Sequence, residues 1–419
     1  MPTAAYFTLG CKVNQYETEK IRERLEAIGF RTVGFASQAD LYVINTCTVT
    51  SVADAKSRRA IRQAVRRAPD AIVVATGCFI ELNPSAGKEF EGVDIVVGNE
   101  DKDTIPDIVS ARFPNIQSSM RPDVKPRLRT RAIVKVQDGC RQFCSYCAVP
   151  LARRRVWSRD VDDVLEELRM LADFGYKEVV LAGIRLGSYD DGLPNLLRAV
   201  CSISGIERIR LSSIEVWEIT DELIEVMGSS VKICRHLHVP MQSADDEVLK
   251  RMNRPYNAAW YADVVEKVRS RLPGVGLTTD VMVGFPGETE EAFENTFRFV
   301  EEMEFSRLHV FRYSPRDGTR AAEMNGRVPE GVKAQRSKRM KELGIRLMRR
   351  FAEKMIGFTV PVLVESRRCG DLIGFTDNYV EVKLTGGDAL RGAIVPVRIE
   401  GVDEEGRAWG TAFQEERSD

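Results

Sequence analysis

The stretch AIVKVQDGCRQFCSYC, residues 132–147, decides how this chain is read. AIVKV has the length and apolar content of a buried strand, and a polar, loop-like segment follows it. That segment sets Cys140, Cys144 and Cys147 at C-x3-C-x2-C spacing. Three thiolates so close together can hold three irons of a [4Fe–4S] cube and leave the fourth iron open to a ligand. A structural zinc site wants a fourth ligand nearby, yet the next cysteine or histidine along the chain is Cys201.

Outward from this loop, strand candidates recur at residues 178–182, 208–212, 236–239, 277–283 and 308–313, with helical patterns such as 161–174 and 290–303 between them. Counting residues 132–136, six strand–helix units suggest an incomplete parallel barrel whose active site lies at the C-terminal strand ends. A basic helical segment, residues 327–354, follows. Beyond Gly357 the texture changes to short strands and Gly-rich turns, which fits a small antiparallel barrel of the OB kind.

Toward the N-terminus, buried strands at residues 4–9, 41–44, 71–75 and 94–97 alternate with amphipathic helices, the pattern of a parallel doubly wound sheet. Cys11, Cys47 and Cys78, spaced 36 and 31 residues apart, each follow a strand: FTLGC, VINTC, VATGC. One such cysteine is ordinarily a small buried hydrophobe. Three in register lie together at the C-terminal edge of the sheet, where such folds bind ligands, and look like a second cluster site. A polar, proline-containing stretch, residues 113–131, reads as a linker. The fold class is therefore α/β, with expected domains at residues 1–115, 126–355 and 357–419.

The 419 residues carry 61 Lys+Arg against 62 Asp+Glu, so global charge does not announce a nucleic-acid partner. No apolar run reaches the roughly 18 residues of a membrane span, and the start lacks a secretory pattern, so a cytoplasmic protein is expected. There the nine cysteines stay reduced. Cys201, Cys234 and Cys369 have no partner in spacing and read as structural.

With Tyr146 directly before its last cysteine, the central motif resembles the radical S-adenosylmethionine (SAM) superfamily. The resemblance implies that the open iron chelates the cofactor's methionine end, and that one electron cleaves the sulfonium to a 5′-deoxyadenosyl radical. It implies cofactor-binding roles for Tyr146 near the adenine, Gly183, Gly187 and Ser188 after the second barrel strand, and Ser212, Ser213 and Glu215 after the third. Gln242 follows the fourth strand, and Gly284 and Gly287, in GFPGE, follow the fifth.

The whole arrangement, with a TRAM-like C-terminal barrel, resembles the methylthiotransferase family. TLGCKVNQYETE (residues 8–19) and NTCTVTSVADAKSR (residues 45–58) are similar to the branch acting on N6-threonylcarbamoyladenosine at position 37 of transfer RNA. The isopentenyl-adenosine branch has Gln-Met-Asn after its first cysteine and the ribosomal-protein branch Pro-Lys-Asn, where this chain has Lys12-Val13-Asn14. Two [4Fe–4S] clusters are implied, on Cys11, Cys47 and Cys78 and on Cys140, Cys144 and Cys147. So are the tRNA anticodon loop and an electron donor such as flavodoxin or ferredoxin, with neither DNA nor membrane.

Arg153, Arg154, Arg155 and Arg159, just after the cluster loop, are expected to track phosphates, as are basic residues in 121–131 and 327–354. His236 and His238 alternate on one strand and could face the barrel interior; hydrogen-bonded core histidines are the competing reading. Three other functions are weighed: methylthiolation of isopentenyl-adenosine, methylthiolation of a ribosomal-protein aspartate, and noncatalytic iron–sulfur RNA binding. The cofactor loops speak against the last.

Overall fold

The computed structural model describes residues 1–83, 85, 90–114 and 130–413. Residues 115–129, which hold most of the expected linker and of the basic stretch 121–131, lie outside the described residues. The chain divides into two compact units.

The first unit holds the N-terminal sheet together with Gln137–Ser158 and Ser314–Glu323. Its strands are β1 (Thr3–Thr8), β2 (Arg31–Val33), β3 (Leu41–Thr46), β4 (Ile72–Gly77) and β5 (Ile95–Val97). All pair in parallel, in the order β2-β1-β3-β4-β5. The chain runs from β1 outward to β2, then returns past β1 and continues the other way. The strand order therefore reverses between β1 and β3, and a crevice outside the strand ends forms at that point in such sheets. Every residue of β3 is buried, which suits a central strand covered on both faces. Helices Lys12–Ala27 and Ser51–Arg67 supply that cover through Ile21 and Leu25 on one face and Ala60, Ile61 and Ala64 on the other. β2 had no sequence signal: it is three residues of an edge strand, with Arg31 exposed and no alternation to read.

The short hairpin β7 (Gln137–Asp138) and β8 (Trp157–Ser158) closes the cluster loop at its base, also within the first unit.

The second unit contains six parallel strands: β6 (Arg131–Lys135), β9 (Glu178–Ala182), β10 (Arg208–Leu211), β11 (His236–His238), β12 (Gly276–Val283) and β13 (Arg307–Arg312). Direct ladders join β6-β9-β10 and β11-β12-β13. Ile209 N–H to Lys232 carbonyl (2.7 Å) and Cys234 N–H to Ile209 carbonyl (2.9 Å) join the two groups. This is the expected six-stranded incomplete barrel. Leu181, Leu211, Leu277, Val281 and Val283 face a core shared with the surrounding helices.

After helix Glu330–Glu353 comes a closed barrel of β14 (Thr359–Arg368), β15 (Asp371–Thr376), β16 (Glu381–Leu384), β17 (Ile394–Val402) and β18 (Ala408–Ala412). All its pairings are antiparallel except β16 with β18. It docks on the N-terminal ends of the large barrel's strands. There Arg210 pairs with Glu178 (2.7 Å) and donates to the carbonyls of Thr376 and Asp377, while Arg208 donates to Pro361 and Phe375. Burial opposes the charge on Glu178, and Arg210, Arg131 and Arg208 outweigh it, holding the carboxyl below its usual range. His236, the first residue of β11, stacks on Tyr379 at 4.7 Å and belongs to this buried plug.

Candidate active site

Adjacent central strands β1, β3 and β4 end in register, Thr8 beside Asn45 and Thr46 beside Gly77. Cys11 and Cys47 follow the two strands between which the order reverses, and Cys78 follows the next strand. The thiols lie within electrostatic reach of one another: Cys11 and Cys78 each raise the cost of a thiolate at Cys47. Burial is the largest cause and, with those neighbours, pushes Cys47 up to about 11; burial also raises Cys11. Cys47 and Cys78 are buried and Cys11 is exposed as a whole residue, and neighbouring thiolates that repel one another are stabilised by a bound metal centre. No cysteine forms a disulfide. The donor set fits a cluster.

Local geometry explains the residues around these cysteines. Gly77 has φ +100°, and a Cβ there would stand 2.4 Å from the Thr46 carbonyl oxygen, so only glycine lets the chain turn into Cys78. Ser57 accepts from the Cys47 N–H (3.1 Å) and donates to the Cys47 carbonyl (2.9 Å). Asn14 donates to the carbonyls of Leu9 (2.7 Å) and Thr46 (3.0 Å), tying the Cys11 turn to the Cys47 turn.

The C-x3-C-x2-C loop belongs to the same unit. Asp138 accepts from the Gly139 N–H (2.8 Å), the Gln142 N–H points at Cys140 Sγ (3.4 Å), and the Cys147 N–H bonds the Cys144 carbonyl (3.0 Å). These bonds curl the loop so that three sulfurs are presented by eight residues, which fits a second cluster. Phe143, at φ +50°, is exposed, and Tyr146 is half-buried.

Arg153 is not the phosphate contact expected of it. It is buried, donates to Glu17 (2.8 Å), Asp138 (2.7 Å) and Asn14 (2.6 Å), and so braces the Cys140 loop against the helix that follows Cys11. Arg159 likewise pairs with Glu167 and donates to the Lys135 carbonyl. Arg154 and Arg155 are exposed. The basic helix Glu330–Glu353 spends its charge internally. Arg336 meets Glu288 and Glu290, Arg339 meets Glu290 and Glu294, and Arg346 meets Glu301, so an acidic helix absorbs much of the basic face. Asn14, Glu17 and Asp138 had no separate signal in the sequence, because their roles depend on one buried guanidinium.

Within the second unit, the expected cofactor residues occupy strand ends and the turns that follow. Gly183 N–H donates to Ser212 Oγ (3.2 Å), and Ser213 forms a bridge to His238. Ser188 Oγ donates to the Arg185 carbonyl (2.8 Å), and a side chain at Gly187 would collide with Glu218. Gln242, at φ +69°, is threaded between Asp280 and Met282 of β12. Glu215 is already paired with Arg254, so a ribose hydroxyl would share that carboxylate. In GFPGE both glycine amides are used by the fold: Gly284 N–H donates to Glu288, and Gly287 N–H to the Gly326 carbonyl (2.7 Å). The Phe285 carbonyl likewise accepts from the Glu288 N–H (2.9 Å) and the Pro286 carbonyl from Arg251 (3.1 Å), so the turn is held by its own hydrogen bonds.

Comparisons with known proteins agree with this fold. Residues 134–300 match the Radical SAM superfamily and residues 3–98 match Uncharacterized protein family UPF0004. Solved radical SAM enzymes share the fold. The methyltransferase TsrM from Kitasatospora setae, with cobalamin and a [4Fe–4S] cluster bound, aligns with a TM-score of 0.56 at 17% identity over 75% of this chain and 77% of its own. Fold and cysteine loop together define a radical SAM enzyme, a class whose chemistry rests on a [4Fe–4S] cluster and SAM.

Sequence relatives narrow the class. Threonylcarbamoyladenosine tRNA methylthiotransferase MtaB of Bacillus subtilis is 41% identical over 95% of this chain and 94% of its own length. The Thermotoga maritima enzyme of the same name is 38% identical over 97% and 96%. The tRNA-2-methylthio-N(6)-dimethylallyladenosine synthase of Acetivibrio thermocellus is 34% identical over 94% and 87%. The chain belongs to the radical SAM tRNA methylthiotransferase family.

Proposed function

We propose that this enzyme converts N6-threonylcarbamoyladenosine at position 37 of tRNA to its 2-methylthio derivative, using two [4Fe–4S] clusters. The carrying observation is the pair of three-cysteine sets within one compact unit, one of them on three adjacent strand ends that begin at the reversal of sheet order. The choice of base is supported by the relatives so named, 41% identical against 34% for a dimethylallyladenosine enzyme.

In this reading Cys140, Cys144 and Cys147 hold the cluster that supplies the electron for SAM cleavage, and Cys11, Cys47 and Cys78 hold the one that carries the transferred sulfur. Replacing an unactivated aromatic C–H lies outside ordinary acid–base catalysis, so the protein's own part is to position groups and exclude water. Arg153 holds the cysteine-bearing segments in register through Asp138, Asn14 and Glu17. Arg154 and Arg155, exposed beside the loop, meet the RNA backbone. The base is read as an unstacked nucleotide taken out of its loop.

The division of labour is tested in anaerobically reconstituted protein. Changing Cys140, Cys144 and Cys147 together to Ala should remove one cluster's iron and abolish 5′-deoxyadenosine formation. Changing Cys11, Cys47 and Cys78 should remove the other cluster's iron while cleavage continues. Loss of cleavage in both variants, with the fold intact, contradicts the reading.

A further inference from the structure

The chain has three histidines, and two of them converge on one carboxylate inside the large barrel, in a group of side chains that includes no cysteine. Along β12, Leu277, Val281 and Val283 enter the core shared with the helices, so Thr278 and Asp280 point to the opposite, inner face. The register sets His238 of β11 beside Thr278 and His309 of β13 beside Asp280. His238 Nε2 and His309 Nδ1 each stand 3.3 Å from the same Asp280 oxygen, and the three donor atoms lie within 4.8 Å of one another.

Those separations are long for hydrogen bonds between charged groups, which close to about 2.7–2.9 Å. The two 3.3 Å separations match the edge of a tetrahedron around a cation bound at 2.0–2.1 Å, which is about 3.3–3.4 Å, and the third separation lies within 4.8 Å. The far side of His238 is also arranged. Its Nδ1 meets Thr278 Oγ1 at 2.9 Å, and the same hydroxyl meets His236 Nε2 at 3.1 Å. If His238 donates to Thr278 and Thr278 donates to His236, the Nε2 lone pair of His238 faces Asp280. A lone pair facing a carboxylate is unfavourable until a cation sits between them. Outer-shell partners of this kind fix the tautomer of metal-bound histidines.

We propose that His238, Asp280 and His309 form a site for a divalent transition cation of the zinc type, with Thr278 as its positioning residue. Three protein ligands leave one position open, as in sites where zinc takes a ligand from outside. His309 is 44% exposed, so the open side is reachable. The class of ligand it would take is a hard anionic oxygen. If the proposed function holds, and this clause alone rests on it, that oxygen is the threonyl carboxylate of the modified base.

The test uses the reconstituted holoenzyme with one equivalent of zinc, followed by zinc-edge X-ray absorption, which is blind to the iron of the clusters. The site predicts a nitrogen and oxygen shell with two imidazoles and no sulfur, lost in His309→Ala while iron content and melting temperature are kept. Thr278→Val should retain the shell but weaken zinc binding about 10–100-fold. No retained zinc, sulfur neighbours, or a spectrum unchanged in His309→Ala would overturn the site. Adding tRNA bearing threonylcarbamoyladenosine should bring one further oxygen into the shell, and tRNA with unmodified adenosine should not. Failure of that arm alone removes the carboxylate as ligand and leaves the cation site standing.

Discussion

Glu17 and Asp138 lie far apart in sequence, and the buried guanidinium of Arg153 joins them. Burial works against the charge on Arg153, and Glu17, Cys78 and Asp138 more than offset it, so the ion stays charged. Removing one partner of such a network leaves the others buried without compensation, which costs about 3–5 kcal/mol. Arg153→Met should lower the unfolding free energy by about 3 kcal/mol, the low end of that range, because Lys102 still holds Glu17 at 2.6 Å. Arg154→Ala and Arg155→Ala should stay within about 0.5 kcal/mol of the parent in the same urea titration. Three consecutive arginines look alike in a sequence. What separates them is the turn after Val149–Ala152, which sends the first inward and the next two outward. The placement of Cys11, Cys47 and Cys78, by contrast, was readable, because each follows an apolar strand run directly.

At the scale of elements, five of the six barrel strands were legible as mostly buried runs closed by a glycine-bearing or polar turn, and β13, half-buried to exposed along its length, by its alternating Leu308 and Val310. β2 was not, being short, partly exposed and at an edge. The pairing of the basic helix was hidden for a different reason. Its charge is real, but the complementary acidic helix Glu290–Glu302 lies elsewhere in the sequence and pairs with it only once folded. Changing Arg339 and Arg346 to Gln should therefore leave the salt dependence of tRNA binding unchanged. Neutralising Arg154 and Arg155 should lower the logarithmic salt slope by about 0.7–0.9 for each RNA phosphate that no longer meets a cation. Affinities at several salt concentrations read both outcomes.

The GFPGE loop makes a pH prediction. Burial pushes Glu288 up to about 7, and the Gly284 amide and Arg336 pull it back only in part. The fold thus favours the neutral acid over the unfolded value of about 4.3. Its stabilisation is complete below that unfolded value and is lost as pH rises through about 7. Between about pH 5 and pH 8 the melting temperature of the parent should fall relative to Glu288→Gln, by roughly 2 °C for each 1 kcal/mol.

For the whole molecule, the placement of the small C-terminal barrel is the feature no local reading could supply. Its strands were countable, but its docking depends on Arg210, Arg208 and Arg131 meeting carbonyls and carboxylates across a buried seam. It closes the strand ends opposite those followed by the turns at Gly183, Ser212 and Gly284. The enzyme class was legible further than docking was, since the C-x3-C-x2-C loop of the radical SAM match is written in the sequence. The central claim is the reaction and its base. The direct measurement is mass spectrometry of nucleosides from tRNA incubated with the reconstituted enzyme, SAM and a reductant. The enzyme should convert threonylcarbamoyladenosine to its 2-methylthio derivative and leave isopentenyl-adenosine as it was. A methylthio group on isopentenyl-adenosine instead, or on neither base with both clusters loaded, would contradict it.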